Sequence, residues 1–313
     1  MTDSPKLAVI AHRKKQLGEG LGRLREALTE AGFEDPIWYE VPKSKKTPKK
    51  VHRAMREGAE LLLIWGGDGT VQRCLDALMS EGSADRRIAV GILPAGTANL
   101  LATNLGIPID LDGALEVALH GDQKDLDVGT FNGEHFAVMA GVGFDALLIR
   151  DADSVMKDRF GRLAYLWTGA RATRARLVRA HIAIDGDDWF DGKVSCVLVA
   201  NVGTVTGGLT AFPGAVPDDG RFDVGVVTAV GMWDWIKVFL RLLLGQVHSS
   251  PLVRTTTARH IDVRLDSKLR YELDGGDRKK TTRMNVQVKP RALTLRVPSS
   301  QVRSAGRSGH RQE

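Results

Sequence analysis

A glycine-rich turn over residues 66–70, Gly-Gly-Asp-Gly-Thr, constrains this chain more than any other segment. An apolar run over 60–65 precedes it, as a buried strand would, and apolar residues follow at helical spacing over 71–79. Such a turn points backbone N–H groups at an anion, and its glycines let a phosphate approach closely. The residues of the turn that we assign to a bound nucleotide are Gly66, Gly67, Asp68, Gly69 and Thr70.

Asp68 is the unusual member of this turn, because a carboxylate repels a bare phosphate. We therefore expect it to hold Mg²⁺ or a metal-bound water. The plain alternative is a tight strand-to-helix turn in which Asp68 is the N-cap of the following helix.

A second turn of the same kind occupies residues 94–99, Pro-Ala-Gly-Thr-Ala-Asn, between an apolar strand over 88–93 and a helix that begins at residue 100. Gly96 would admit a phosphate, whereas Thr97 and Asn99 either bind phosphate or nucleotide or cap the helix. Two such turns at the carboxyl ends of neighbouring strands form one crevice, which is where open α/β sheets bind ligands.

The two turns together resemble the catalytic domain shared by soluble diacylglycerol kinases, sphingosine kinases and related bacterial lipid kinases. The resemblance implies an ATP- and Mg²⁺-dependent kinase of phospholipid biosynthesis, whose acceptor is the hydroxyl of diacylglycerol or a related lipid. The first turn alone also occurs in NAD kinases, so an NAD-kinase-like small-molecule kinase is an alternative. The remaining segments of the pattern follow in the family's order: Asn201, Gly207-Gly208, residues 212–222 and Leu273-Asp274-Gly275.

The same resemblance implies a metal site and a catalytic base. It assigns Mg²⁺ to the side chain of Asp219 and to the carbonyl groups of Val216 and Arg221; a plain Pro/Gly turn is the alternative. Asp274 ends an alternating strand and is the candidate base for a lipid hydroxyl, although it could equally belong to an ordinary Asp-Gly hairpin turn.

Two segments depart from the family pattern. The family usually reads Asp-Gly-Glu where this chain has Gly276 in the third position, so the role of the base is absent or falls to Asp274 or Asp277. The first strand normally runs into an Asn-Pro-x-Ser/Ala-Gly loop, but here it runs into a basic segment containing Lys14 and Lys15. These departures suggest a third hypothesis, a non-catalytic module that binds lipid or nucleotide, behind the leading interpretation of a lipid kinase.

Strands and helices alternate over residues 6–124, which predicts an α/β domain with a parallel sheet covered by helices on both faces. The resemblance implies an NAD kinase/phosphofructokinase-like fold there. From residue 126 the pattern is mainly antiparallel, with an Asn-Gly hairpin over 127–136 and helices near 157–179 and 232–245. The resemblance implies a β-sandwich in this part.

We therefore expect a nucleotide-binding catalytic domain over 1–124 and a β-rich lipid and metal domain over 125–298. A strand near 291–298 could return to the first domain, and the polar tail over 299–313 is expected to be disordered. The helix near 232–245 is too short to span a bilayer. It either packs into the second domain, which we favour, or lies in a membrane interface.

Composition indicates the cellular compartment and the kind of partner. Two cysteines in 313 residues argue against a disulfide framework, and the N-terminus has no apolar signal-peptide core, so a cytoplasmic protein is expected. The net charge of +6 favours anionic partners, but no nucleic-acid-binding motif occurs. A lysine-rich segment over 43–50 is either a solvated loop or a contact to phosphate or anionic lipid. We expect a peripheral enzyme at the inner face of an anionic membrane, with a homodimer left open.

Overall fold

The computed structural model describes residues 5–80, 88–143, 177–205 and 209–299. The chain forms two compact units, one of Met1–Leu126 with Arg291–Glu313 and the other of Asp127–Pro290. Most of the helix predicted near 157–179 and the pair Gly207-Gly208 lie outside the described residues.

The first unit is built on a parallel sheet. Its strands are β1 (Leu7–His12), β2 (Ile37–Val41), β3 (Leu61–Gly66) and β4 (Ala89–Pro94), in the spatial order β2-β1-β3-β4. Its helices are α1 (Leu21–Glu30), α2 (Thr47–Arg56), α3 (Asp68–Ser80), α4 (Leu100–Leu105) and α5 (Leu111–His120). Every residue of β1, β3 and β4 is buried, as expected of parallel strands with both faces covered. The predicted α/β domain is confirmed.

The C-terminal part of the chain completes this first unit. Leu295 pairs in parallel with Val90 of β4, and the Arg296 guanidinium donates to the carbonyl oxygen of Gly121 at 2.8 Å. An alanine Cβ at Gly121 would lie only 2.4 Å from the carbonyl oxygen of Val297. The glycine that ends α5 is therefore required for the close approach of the returning strand.

The second unit is mainly antiparallel. Its strands are β5 (Asp122–Phe131) from residue 127 onward, β6 (Glu134–Phe136), β7 (Met139–Val142), β8 (Val178–Ile184), β9 (Asp187–Val194), β10 (Cys196–Ala200), β11 (Thr204–Val205), β12 (Leu209–Thr210), β13 (Phe222–Val227), β14 (Val253–Ala258), β15 (His260–Leu273) and β16 (Gly276–Val297) as far as residue 290. The main order is β14-β13-β10-β7-β15-β16, with β8 pairing β15 and β9 pairing β8. Helix α6 (Gly231–Leu243) packs on this unit.

Local sequence explains the turn between β5 and β6. Asn132 and Gly133 both have positive φ, 48° and 92°, as a two-residue turn of type I′ requires, so the predicted hairpin between β5 and β6 is confirmed. The predicted extension of a helix to residue 179 is wrong, because Val178–Ile184 is a strand and Arg179 forms an ion pair with Asp191 across to β9.

Within the described ranges, no helix combines the length and apolar character needed to cross a bilayer.

Candidate active site

The two glycine turns lie directly against each other. Strands β3 and β4 are parallel neighbours, with Gly66 in register with Pro94. An alanine Cβ at Gly67 would lie 2.9 Å from the Cα of Gly96, and one at Gly96 would lie 2.5 Å from the Cα of Gly67. The turns thus meet backbone to backbone at the carboxyl ends of two adjacent strands. This adjacency confirms the predicted pairing of the turns.

Asp68 joins the two turns. It is the first residue of α3, and its carboxylate oxygens accept hydrogen bonds from the backbone N–H groups of Asn99 and Leu100 at 3.0 and 2.5 Å. These N–H groups open α4, so Asp68 caps the helix that follows the other turn. Burial raises the pKa of Asp68, while the amide donors and the charge of Lys15 oppose that rise.

Asn99 shapes the second turn. Its backbone has φ of 47°, and its side chain accepts from the N–H of Gly96 at 2.8 Å and donates to the carbonyl oxygens of Gly96 and Pro94 at 3.0 and 3.3 Å. Three bonds from one buried amide hold the turn closed. Thr97, in contrast, is exposed. The hydroxyl of Thr97 is therefore the side-chain group of this turn that is presented at the surface.

Thr70 connects the first turn to the lysine-rich segment. Its buried hydroxyl lies 3.1 Å from the hydroxyl of Ser44, which begins a short 3₁₀ helix, Ser44–Lys46. No sequence pattern around Ser44 predicts this contact. The contact places the lysines over 43–50 in a segment that is attached to the glycine turn.

The basic segment after β1 lies where the family resemblance implies an Asn-Pro-x-Ser/Ala-Gly loop. The buried imidazole of His12 accepts from the N–H of Lys14 at 3.3 Å, and the indole of Trp65 donates to the carbonyl oxygen of Lys15 at 3.0 Å. Burial, and then the charges of Lys15 and Lys14, lower the pKa of His12. Since Trp65 directly precedes the glycine turn, these bonds fix the basic segment beside that turn.

The loop over 216–221, predicted to hold metal, is organised by a residue that sequence reasoning missed. Asp127 is fully buried; its carboxylate accepts from the N–H of Gly220 at 2.6 Å, and its own N–H donates to the carbonyl oxygen of Pro217 at 2.7 Å. The Asp219 carboxylate is exposed and accepts from the N–H of Arg221 at 2.9 Å. The only signal for Asp127 was a carboxylate within an apolar strand.

The loop over 216–221 combines an exposed carboxylate with backbone carbonyl groups. Burial, followed by repulsion from Asp219, raises the pKa of Asp223 to about 6, so a negative charge at Asp219 is felt by its neighbour. Among the described residues, no group of three or more His, Cys, Asp or Glu side chains could hold a metal. A cation here would therefore be bound by the carboxylate of Asp219 and by backbone carbonyl groups. The carbonyl groups predicted for this role are those of Val216 and Arg221. A cavity of about 340 Å³ adjoins, lined by residues that include Phe212, Asp223 and His248.

Asp274 is buried within the second unit, with φ of 46°. One carboxylate oxygen accepts from the N–H groups of Val138 and Met139 at 2.8 and 2.9 Å, and the other accepts from that of Ala137 at 2.9 Å. Charge-assisted bonds of this kind stabilise the ionised form and hold it in place. The geometry therefore weighs against Asp274 as a mobile proton acceptor and favours a role in fixing the segment 137–139.

The guanidinium of Arg278 lies against Gly276, the position where the family pattern has glutamate. Arg278 donates from Nε to Glu134 at 2.7 Å and from Nη1 to the carbonyl oxygen of Gly276 at 3.1 Å. A Cβ at Gly276 would lie 2.8 Å from that Nη1. Glu134 also accepts from the Tyr271 hydroxyl at 2.8 Å; burial and this bond raise the pKa of Tyr271 to about 12. The second candidate base, Asp277, is exposed.

Comparison with known proteins identifies both units. The model of the diacylglycerol kinase catalytic domain matches residues 6–131, and that of the YegS C-terminal NAD kinase beta sandwich-like domain matches residues 138–297. The diacylglycerol kinase of Bacillus subtilis (strain 168) is 28% identical over 257 residues, covering 82% of this chain and 83% of that protein.

Solved structures show the same fold. A diacylglycerol kinase from Bacillus anthracis str. Sterne superposes with a TM-score of 0.72 at 20% identity, over 95% of this chain and 98% of that one. An NAD kinase from Archaeoglobus fulgidus, solved in complex with ATP, gives a TM-score of 0.51 at 11% identity over 95% and 96%. The predicted NAD-kinase-like α/β domain and mainly antiparallel β-sandwich are thereby confirmed. The chain belongs to the diacylglycerol kinase family of lipid kinases.

Proposed function

We propose that this protein transfers the γ-phosphoryl group of ATP, with Mg²⁺, to the hydroxyl of diacylglycerol or a related lipid. The observation that carries the proposal is the pair of glycine turns in backbone contact, joined by the carboxylate of Asp68. Phosphoryl transfer is catalysed mainly by positioning and electrostatic stabilisation, which rigid backbone donors supply. The fold likeness to an NAD kinase solved with ATP supports ATP as the donor.

The assigned roles follow the geometry of each unit. The backbone of Gly66–Thr70 and of Gly96, with the hydroxyl of Thr97, would receive the phosphates, and Lys15 would add a positive charge close to Asp68. Asp219 and the carbonyl groups of Val216 and Arg221 would hold Mg²⁺. When bound, the metal would neutralise phosphate charge.

The general base has two candidates, Asp274 and Asp277. Asp274 has both oxygens engaged by buried amides, whereas Asp277 is exposed at the start of β16. Of the two candidates, Asp277 is thus the one whose carboxylate lies at the surface, where a lipid hydroxyl could reach it.

A second candidate function rests on one specific observation. The guanidinium of Arg278, rather than a carboxylate, lies at the position of Gly276. This guanidinium is paired with the Glu134 carboxylate at 2.7 Å, and a guanidinium cannot accept a proton. A module that binds lipid or nucleotide without turnover is therefore the alternative.

We place the proposed enzyme in the cytoplasm, peripheral to the inner face of an anionic membrane, where phospholipid biosynthesis supplies its acceptor. The lysine-rich segment over 43–50 supports this placement, because most of its lysines are exposed. The net charge of +6 acts in the same direction.

A panel of acceptors tests the proposal. Labelled ATP and Mg²⁺ are supplied with diacylglycerol, monoacylglycerol or sphingosine in mixed micelles, and with NAD in a separate reaction. We expect label in a lipid phosphate and none in NADP. Label only in NADP would establish the small-molecule kinase instead, and binding of ATP without transfer to any acceptor would favour the non-catalytic module.

A further inference from the structure

Helix α6 carries an exposed apolar surface. Within the described part of the chain, eight large apolar side chains are exposed, and six of them fall between residues 230 and 244. Trp233 is 71% exposed and Leu244 is 70% exposed, so each shows most of its side chain to solvent. A concentration of this kind on one short segment marks an interaction site. The six residues are Val230, Met232, Trp233, Leu240, Leu243 and Leu244.

The packing of α6 does not account for this surface. The helix is attached through Trp235 and Val238, which are buried against Cys196, Ala229 and Val247. At 100° per residue, Trp233, Leu240 and Leu244 cluster on nearly the opposite side, because they are spaced i, i+7 and i+11. Folding of the second unit therefore requires only one of the two apolar faces.

A charged stripe borders the exposed face. Asp234 forms an ion pair with Lys237 at 3.7 Å, and Arg241 donates to the carbonyl oxygen of Ser249. Lys237 keeps 67% of its side chain exposed. The stripe has two cations and one anion, so its net charge is positive, in agreement with the basic chain as a whole.

We propose that the exposed face of α6 inserts into the interfacial layer of an anionic lipid bilayer. Its 13 residues span about 20 Å, too short to cross a bilayer, so the helix would lie in the plane of the interface. Tryptophan is favoured at this depth because its ring is apolar and its N–H is polar. Lys237 and Arg241 would face anionic head groups.

This inference deepens the proposed function, on which it rests for the nature of the partner: an enzyme whose acceptor is a lipid has to reach that lipid in a membrane. A bilayer fits the surface better than a second copy of the chain, because two copies would bring together stripes of the same net charge. A bilayer with anionic lipid complements that charge instead.

Vesicle binding tests the proposal without any need for turnover. The full-length protein is co-sedimented with vesicles of phosphatidylcholine and phosphatidylglycerol, and compared with the variant Trp233→Ser/Leu240→Ser/Leu244→Ser. We expect the partition coefficient to fall by at least about tenfold, because three large apolar side chains no longer enter the interface. The matched control is Ile109→Ser, since Ile109 is also 70% exposed but lies outside α6; it should bind as the wild type does.

A second measurement places the helix directly. Vesicles whose acyl chains carry bromine should quench the tryptophan fluorescence of the wild type, and Trp233→Phe should remove most of that quenching while leaving vesicle binding largely unchanged. Unchanged binding of the triple variant would overturn the proposal. So would a wild-type dimer that the triple substitution dissociates without affecting vesicle binding, because a second copy would then cover the face. Loss of binding supports the proposal whether or not any lipid is phosphorylated, so its failure is distinguishable from that of the kinase assignment.

Discussion

Replacing Gly96 by alanine should separate the two glycine turns. The added Cβ would lie 2.5 Å from the Cα of Gly67 and 2.6 Å from Oδ1 of Asn99. The backbone of Gly96 is not in the left-handed region, so the substitution introduces contact and not conformational strain. Because one of the two close atoms belongs to the backbone, rotation of a side chain cannot relieve the contact.

The size of the destabilisation follows from the shift of the two turns that the added methyl group requires. Restoring an ordinary contact requires a shift of nearly 1 Å between the turns, and overpacking of this kind costs about 1–3 kcal/mol. The same shift lengthens the bonds from Asn99 and Leu100 to the Asp68 carboxylate, each of which contributes about 1.5–3 kcal/mol when intact. We therefore expect Gly96→Ala to lower the free energy of unfolding by about 2–4 kcal/mol.

Urea denaturation measures this loss, and the first turn provides a matched control. Gly69 has no heavy atom within 4 Å of an added Cβ and lies near the start of α3, so Gly69→Ala should leave stability within about 0.5 kcal/mol of the wild type or raise it slightly. If Gly96→Ala unfolds at the same urea concentration as Gly69→Ala, the contact between the turns does not contribute as the geometry indicates.

Four further substitutions probe the second unit. Asp274→Asn should lower the free energy of unfolding by about 2–4 kcal/mol, because an amide NH₂ would face a buried N–H donor, whereas Asp277→Asn at the surface should change it little; equal urea midpoints would contradict this. Asp219→Ala should raise the Mg²⁺ concentration needed for half-maximal transfer or eliminate activity, and an unchanged Mg²⁺ titration would leave the loop as a simple turn. Gly276→Glu, which restores the family motif, should increase lipid phosphorylation and displace the Arg278 guanidinium; a rate equal to that of the parent, with ATP binding intact, would count against a missing base.

The sequence was sufficient for the parts of the site that depend on local pattern. The apolar runs, the glycine turns and the helical spacing after Asp68 specified β3, α3 and β4, and the adjacency of the turns followed from the geometry of parallel strands. The Asn132-Gly133 turn could be predicted equally well, because few residue types adopt positive φ at two successive positions.

What could not be read from the sequence depends on contacts between distant residues. Asp68 meets N–H groups more than 30 positions away, and Asp127 reaches a loop 93 positions away. No local pattern encodes such distances, and the sequence predicted only a base or a turn residue at Asp274, whereas the fold makes it a buried acceptor of three backbone N–H groups. Burial and donor count, which only the fold supplies, distinguish these roles.

Transfer of label from γ-³²P-labelled ATP to diacylglycerol, measured for the wild type and for Asp68→Asn, tests the central claim most directly. The amide of the variant can accept only one of the two backbone N–H bonds and carries no charge for a metal or its water. We predict that the wild type forms labelled phosphatidic acid in the presence of Mg²⁺ and that Asp68→Asn, verified as folded by circular dichroism, forms essentially none. Equal transfer by the two proteins at saturating ATP and Mg²⁺ would contradict the assignment of the paired turns as the phosphoryl-transfer site.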